Sequence, residues 1–188
     1  MVRRTSSLRM FVAAAATVVA LFATQQASAQ TIIFVGGGAT FPTSDFGDYA
    51  NTGWQVVGGV LVPVGPAGLH VGAEGFYGQN NHKEEVSLAT DSKTTPYGAM
   101  GVVEYSFQMD GKLTPYVFGG AGVLIHKFSA AGLDSESETQ FGYEGGVGVS
   151  FDVSPTIGIW VEGRYMGSSD TKFFAALAGL GFAVGGAE

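Results

Sequence analysis

Two oppositely charged side chains, Glu162 and Arg164, stand two residues apart in the stretch IGIWVEGRYM (residues 157–166). Alternate positions of an extended strand lie on one face, so the two groups can pair there. The corresponding face of other strand-like segments carries three further carboxylates and two histidines: Glu74, Glu104, Glu144, His70 and His126. Four carboxylates with one guanidinium can form a buried ion-pair network or, in a channel, favour cations.

Residues for other chemistries are absent from the sequence or wrongly spaced. The 188-residue chain has no cysteine, which excludes thiol nucleophiles and cysteine-ligated metals. Its glycine runs lack the spacings of phosphate-binding loops. The nearest match to a His–Ser hydrolase pair is His126 with Ser129, and strand alternation places these on opposite faces. We therefore expect no enzyme, no cofactor and no metal site.

The first 29 residues have the pattern of a secretory signal peptide. Three arginines precede the apolar run MFVAAAATVVALFA, and small residues follow at positions 27 to 29. This pattern predicts cleavage between Ala29 and Gln30, with residues 30–188 forming one domain. The leader holds three of the nine basic residues and none of the sixteen acidic ones, so the mature chain has a net charge of −10. That charge argues against binding to nucleic acid.

Apolar residues alternate with glycine and polar residues along most of the mature chain. In YGAMGVVEYSFQ (97–108), for example, Val103 and Tyr105 share one face, and Glu104 and Ser106 share the other. After the leader, no apolar run approaches the 18 residues that a membrane helix needs. The alternation predicts eight strands, near residues 31–41, 53–64, 68–77, 96–108, 113–127, 140–152, 156–167 and 172–184.

The connections between these segments alternate between long and short. The long connections are polar (42–52, 78–95, 129–139 and 168–172), and the short ones have turn residues (65–68, 109–112 and 153–156). Long and short connections at opposite ends are typical of an up-and-down antiparallel barrel in an outer membrane. Because unpaired backbone groups are costly in lipid, such a sheet must close. We therefore predict an all-β, eight-stranded transmembrane β-barrel.

The alternative is a soluble barrel of the lipocalin type, with its charged face outside. The charged faces here carry much glycine and few Lys or Glu residues, too few to coat a soluble exterior. Aromatic residues near the predicted strand ends instead suit the interfacial girdles of a membrane barrel. They are Phe41, Trp54, Tyr77, Tyr97, Phe107, Phe151, Tyr165 and Phe174.

Three stretches carry a family resemblance: residues 36–54 (GGGATFPTSDFGDYANTGW), 114–123 (TPYVFGGAGV) and 141–166. They resemble the small bacterial outer-membrane β-barrel domains of the OmpA/OmpX type, with Glu162 and Arg164 at that family's E-x-R-Y position. The resemblance implies an outer-membrane location, contact with membrane lipids and lipopolysaccharide, and insertion by the barrel-assembly machinery. We expect a monomer, and we expect no wall-anchoring role of the kind that a peptidoglycan-binding domain gives to full-length OmpA.

Two functional hypotheses remain. In the first, the Glu/Arg network plugs the lumen, and the protein supports membrane integrity or makes surface contacts through loops 42–52, 78–95 and 129–139. In the second, the same carboxylates line a narrow, cation-preferring pore. An eight-stranded barrel has an interior that its own side chains just fill, which favours the plug. We expect His82, in the second long loop, to be exposed and without a role.

Overall fold

The computed structural model describes residues 30–65, 67–84, 92–131 and 135–185, in which eight antiparallel strands close into a barrel. Each strand pairs with its neighbours in the chain, and β1 pairs with β8 from Thr31 opposite Val184 to Thr43 opposite Lys172. The predicted up-and-down barrel is therefore confirmed. Its strands are β1 (Thr31–Thr43), β2 (Gly53–Pro63), β3 (Leu69–Asn81), β4 (Lys93–Ser106), β5 (Leu113–Ser129), β6 (Glu136–Ser154), β7 (Ile157–Gly167) and β8 (Lys172–Val184).

The predicted strand ends are wrong on the long-loop side. Strand β3 continues to Asn81 and β4 begins at Lys93, so both ends of the segment 78–95 predicted as a loop are strand. Strand β6 likewise begins at Glu136, inside the predicted loop 129–139. These ends are polar because they extend beyond the apolar layer, yet their backbone pairing continues. Polar composition therefore marked the edge of the membrane and not the end of the strand.

The first long connection contains a helix that the sequence analysis did not predict, α1 (Ser44–Tyr49). It is short, and its hydrophobic contact comes from Phe46, whose side chain is buried with the barrel core. No described helix is both long and apolar enough to cross a membrane. The predicted leader and its cleavage site lie outside the described residues.

The two faces of the strands follow the predicted alternation. Side chains such as Val103, Phe141 and Val161 are exposed on the outside, where lipid would cover them. Glycines on the inner face make room for large neighbours: a Cβ on Gly148 would overlap the ring of Tyr116. The narrow lumen can therefore hold an aromatic side chain from one strand, because the residue opposite it on the adjacent strand is a glycine with no side chain.

The lumen differs between its two ends. Toward the long loops it is filled by large side chains with almost no exposure: Phe46, Met100, Leu124, Met166 and Phe173. Toward the short turns it contains a cavity of about 880 Å³. Residues of the short-turn end, such as Lys112 and Pro155, line this cavity together with Arg164. The cavity thus extends from the short-turn end to the charged residues in mid-barrel.

Candidate functional site: the charge cluster in the lumen

Arg164 extends from β7 across the lumen to β3. Its Nη1 donates to Glu74 Oε1 at 2.5 Å, and its Nη2 donates to Glu74 Oε2 at 3.2 Å. Strands β3 and β7 are four places apart in the closed ring of eight, so this fork joins opposite walls. Both side chains are about 98% buried. A bidentate contact of this kind fixes the guanidinium plane as well as its position.

Two more carboxylates contact the same guanidinium. Glu144, from β6, accepts from Nη1 at 2.9 Å, and Glu162, two residues away on β7, accepts from Nε at 2.6 Å. The ring of Phe118 lies against the guanidinium, with its centroid 4.9 Å from Cζ. This last contact has the geometry of a cation–π interaction. The cluster therefore has four charged side chains from three strands.

The formal charges of this cluster do not cancel. With every group ionised, three carboxylates surround one guanidinium, which leaves an excess of two negative charges. Removing charges from water is expensive in a low-dielectric interior, and only close pairing or hydration offsets the cost. One oxygen of Glu144, Oε1, is buried without a hydrogen-bond partner among the described residues. The arrangement fixes the position of the guanidinium and leaves excess negative charge at the mid-barrel end of the cavity.

Glu104 and His70 lie nearer the short turns and do not contact Arg164. Ser106 Oγ donates to Glu104 Oε1 at 3.0 Å, and the Nδ1 atom of His70 is 3.7 Å from the same oxygen. The latter distance is too long for a hydrogen bond. These two predicted members therefore lie near each other in the cavity wall, outside the direct contacts of the guanidinium.

Tyr116 and Phe118 also contact the charge cluster and were not predicted as members of it. Tyr116 donates from its hydroxyl to Glu162 Oε2 at 3.0 Å, while Phe118 stacks on Arg164. Both occupy the inward positions of β5 that alternation identifies, so their location was predictable. Their contacts with Glu162 and Arg164 were not predictable, because these contacts depend on which residues the strand register places at the same height in the lumen.

His126 is apart from the cluster, at the long-loop end. Its Nε2 atom is 3.0 Å from Ser168 Oγ, and its Nδ1 atom is buried without a partner among the described residues. Ser168 is about 98% buried and also accepts from the backbone N–H of Thr171 at 3.3 Å. The structure therefore places His126 in a packed turn contact and not beside Arg164.

His82 is packed between loops, which contradicts the expectation that it is exposed and without a role. Its ring centroid is 5.3 Å from that of Tyr49 and 5.4 Å from that of Phe128, and Nε2 is 2.8 Å from Thr94 Oγ1. Burial lowers the pKa of His82 below its ordinary value. The adjacent Lys83 donates from Nζ to the carbonyl of Gly47 at 2.8 Å. Both side chains hold the α1 loop against the barrel.

The outward aromatic residues form the predicted girdle. At the long-loop end, the ring centroids of Trp54 and Tyr77 are 5.8 Å apart, and those of Tyr77 and Tyr97 are 6.4 Å apart. At the other end, those of Tyr105 and Phe107 are 5.2 Å apart. Rings in two belts, with apolar side chains between them, match the two interfaces of a bilayer.

A closed antiparallel barrel with a lipid-facing apolar band, aromatic belts and an inward charge cluster defines a small integral protein of the outer membrane. The sequence agrees: residues 11–183 match the family model described as the outer membrane protein beta-barrel domain, and the chain belongs to that family. A search of curated protein sequences finds no match. The family model and the closed barrel fold together place the protein in the outer membrane.

Solved structures of small outer-membrane barrels are similar to this one in fold. Neisserial surface protein A is 16% identical with a TM-score of 0.62, over 82% of this chain and 97% of that one. Ail, the attachment invasion locus protein of Yersinia pestis, was solved with the heparin analogue sucrose octasulfate. It is 18% identical with a TM-score of 0.56, over 84% of this chain and 99% of that one. OprG from Pseudomonas aeruginosa is 15% identical with a TM-score of 0.51, over 85% and 98%.

Proposed function

We propose that this protein is a structural barrel of the outer membrane whose lumen is plugged and whose long loops make surface contacts. The observation that carries the proposal is the fork between Arg164 and Glu74, which joins opposite walls in mid-barrel. Beyond it, toward the long loops, the lumen is filled by buried side chains such as Leu124 and Phe173. A barrel braced and filled in this way adds rigidity to a membrane without opening a path through it.

The second hypothesis, a narrow cation-preferring pore, has one supporting feature. The cavity of about 880 Å³ is lined by Glu74, Glu104 and Glu162, and carboxylate rings favour cations. Conduction also needs an exit, however, and the long-loop half offers packed side chains and the helix α1. A pore would require Phe46 and its neighbours to leave their buried positions. The plug is therefore the better proposal.

The proposal includes no catalytic step. One histidine–serine pair among the described residues is within hydrogen-bond reach, His126 and Ser168, 3.0 Å apart. A nucleophile must be reached by its substrate, and Ser168 is about 98% buried. A base in such a pair is oriented by a third group, and His126 Nδ1 has no such partner among the described residues. Both facts support a packing role for the pair.

Surface contact is proposed for the long-loop end, which is acidic where the structure describes it. Its carboxylates include Asp45, Asp48, Glu84, Glu136 and Asp170. A sulfated polysaccharide, the class of ligand mimicked in the Ail structure, would be repelled by this surface. We therefore propose a partner with a basic surface. Insertion by the barrel-assembly machinery and a monomeric state complete the proposal, since the barrel closes without another chain.

Single-channel recording in a planar bilayer tests the proposal. The expected result is a silent bilayer, with insertion verified by heat-modifiable gel migration of the same sample. Steady, cation-selective steps that change when Glu104→Gln or Arg164→Ala is introduced would establish the pore instead. Occasional unselective spikes that both substitutions leave unaltered would be leakage around the barrel and would leave the plug in place.

A further inference from the structure

The cavity at the short-turn end has two walls of different chemistry. Its polar wall comes from β3 to β6 and includes Glu104, Ser106 and Tyr116. The lining residues on β8, β1 and β2 have no polar side chain: Ile32, Phe34, Leu61, Pro63, Gly181 and Ala183. These three strands are consecutive in the closed ring, so they form one continuous apolar wall. Water gains no hydrogen bonds from such a wall, and the division therefore favours an occupant with one apolar side.

Glu104 is a carboxylate of the polar wall without a fixed cation. Its side chain is about 87% buried, and no lysine or arginine among the described residues is within ion-pair distance of it. Ser106 Oγ donates to it without supplying charge, and the Nδ1 atom of His70 stays 3.7 Å away. A buried carboxylate is costly unless a positive group or water compensates it. The cavity is the side from which such a group can approach.

Aromatic rings stand on two sides of the cavity. Trp160 from β7 and Phe34 from β1 meet edge to face, with their ring centroids 6.3 Å apart and their planes at 84°. Tyr116 and Phe118 line the cavity from β5, which is opposite β1 in the ring. Aromatic faces attract ammonium groups and also bury the apolar surface of a ligand. Carboxylate and aromatic groups together make up a site suited to an organic cation.

The cavity is large enough for a small molecule and opens at one end. Its volume of about 880 Å³ is within the range of about 300–1,000 Å³ of small-molecule sites. Lys112 and Pro155 line it at the short turns, whereas Leu124 and Phe173 fill the lumen on the other side of Arg164. The short turns of outer-membrane barrels face the periplasm. A ligand would therefore enter from the periplasm and leave the same way.

We propose that this cavity binds a small organic cation, a primary ammonium group on an apolar aromatic or alkyl body. The ammonium group pairs with Glu104 beside Ser106, and the apolar body lies against the wall formed by β8, β1 and β2. An inorganic cation would leave that wall without a partner, and a neutral apolar molecule would leave Glu104 without one. The site goes beyond the proposed structural role and does not depend on it, because a plugged barrel needs no ligand.

The two tryptophans of the chain allow a direct test by fluorescence. Trp160 lines the cavity, whereas Trp54 is 44% exposed on the outer face. In the variant Trp54→Phe, purified in detergent at pH 8, phenethylammonium should change the emission of Trp160 along a saturable curve. A primary amine is still protonated at that pH. In Trp160→Phe, the remaining Trp54 reports partition of the amine into the micelle, and its emission should show no saturable change.

The charge requirement is tested by Glu104→Gln in the Trp54→Phe background. This variant should bind phenethylammonium about tenfold more weakly or worse, because it keeps the shape of the side chain and loses its charge. The matched control is Glu136→Gln, which removes the same charge from an exposed position at the long-loop end and should leave the affinity unchanged. Heat-modifiable gel migration verifies that each variant is folded.

Two comparison ligands separate the contributions of the two walls. Phenethyl alcohol lacks the charge and methylammonium lacks the apolar body, so each should bind at least about tenfold more weakly than phenethylammonium. The site would be overturned by the absence of a saturable change at Trp160, by equal affinity in Glu104→Gln, or by equally tight binding of either comparison ligand. Conductance and stability are measured separately without ligand, so a failure of the structural role would appear there and a failure of the site only in the titration.

Discussion

Arg164 contacts both carboxylate oxygens of Glu74 across the full width of the lumen, at a sequence separation of 90 residues. Strands β7 and β3 share no backbone hydrogen bonds, so this side-chain fork is a direct connection between opposite walls. Phe118 from β5 packs on the guanidinium as well. The fork therefore complements the backbone ladder, which joins only neighbouring strands.

Replacing Arg164 with Ala should destabilise the barrel strongly. The substitution leaves Glu74 and Glu144 buried with no positive partner, and breaking a buried ion pair from one side costs about 3–5 kcal/mol. The free energy of unfolding is measured in phosphatidylcholine vesicles by denaturant titration, followed by heat-modifiable gel migration. Arg164→Lys is the control, because it keeps the charge but loses the fork. Its free energy of unfolding should lie between those of the unsubstituted protein and Arg164→Ala. Unchanged stability in Arg164→Ala would contradict a bracing role for the cluster.

The sequence allowed the faces of the strands to be predicted, but not the contacts across the lumen. Glu162 and Arg164 were paired correctly because alternation is a local property of one strand. The partner Glu74 depends on the register of every strand pair between β3 and β7, and on the diameter that results. Glu104 shows the same limit. It lies on the predicted face but at a different height, so it pairs with Ser106 instead of Arg164.

The long loops were predicted poorly for a different reason. Polar composition was taken to indicate solvated chain, whereas Asn80 and Thr94 are buried and paired within the extended β3–β4 ladder. Phe46 was the residue that could have indicated a docked loop, since a phenylalanine in a polar loop often packs against the protein core. His82 gave no signal of its own, because its position depends on the rings of Tyr49 and Phe128, from two other segments.

Adding a methyl group at Gly148 should destabilise the barrel by about 1–3 kcal/mol, the usual cost of overpacking. The atoms nearest to a Cβ at that position belong to the ring and hydroxyl of Tyr116. In a Tyr116→Ala background the same substitution should therefore cost little, and a double-mutant cycle measures this coupling. Gly163→Ala is the control, since a Cβ there meets nothing within 4 Å. Equal costs in both backgrounds would mean that the strain arises from the backbone.

Adjacent residues on β5 should respond differently to truncation. Leu124 has no exposed surface and faces the lumen, whereas Val123 is 40% exposed on the outer face. Leu124→Ala leaves a cavity and should cost about 2–5 kcal/mol. Val123→Ala should cost much less, because lipid chains can refill the space. Denaturant titration of the two variants in the same vesicles gives the comparison, and similar costs would contradict the assignment of faces.

Acidification should release the α1 loop from the barrel before the barrel itself unfolds. Burial lowers the pKa of His82 in the docked loop, so the undocked loop binds a proton more readily. Docking is therefore favoured above the ordinary histidine pKa of about 6.5 and is lost as the pH falls through the lowered value. Burial raises the pKa of the neighbouring Tyr49, which stays neutral throughout this range. Hydrogen exchange of the loop amides reports the change, for example at Asn51, whose N–H donates to the carbonyl of Asn81.

The control for this pH effect is His82→Phe. Phenylalanine preserves an aromatic ring between Tyr49 and Phe128 but cannot bind a proton, so exchange at Asn51 should become nearly independent of pH between about 5 and 7, once intrinsic exchange rates are divided out. The other two histidines, His70 and His126, are unaltered in this variant. If acid still accelerates exchange at Asn51 in His82→Phe, the group whose protonation undocks the loop is His70, His126 or a carboxylate of the loop. If the acid effect disappears, the ring of His82 is the group whose protonation undocks the loop, since nothing else that titrates has been removed.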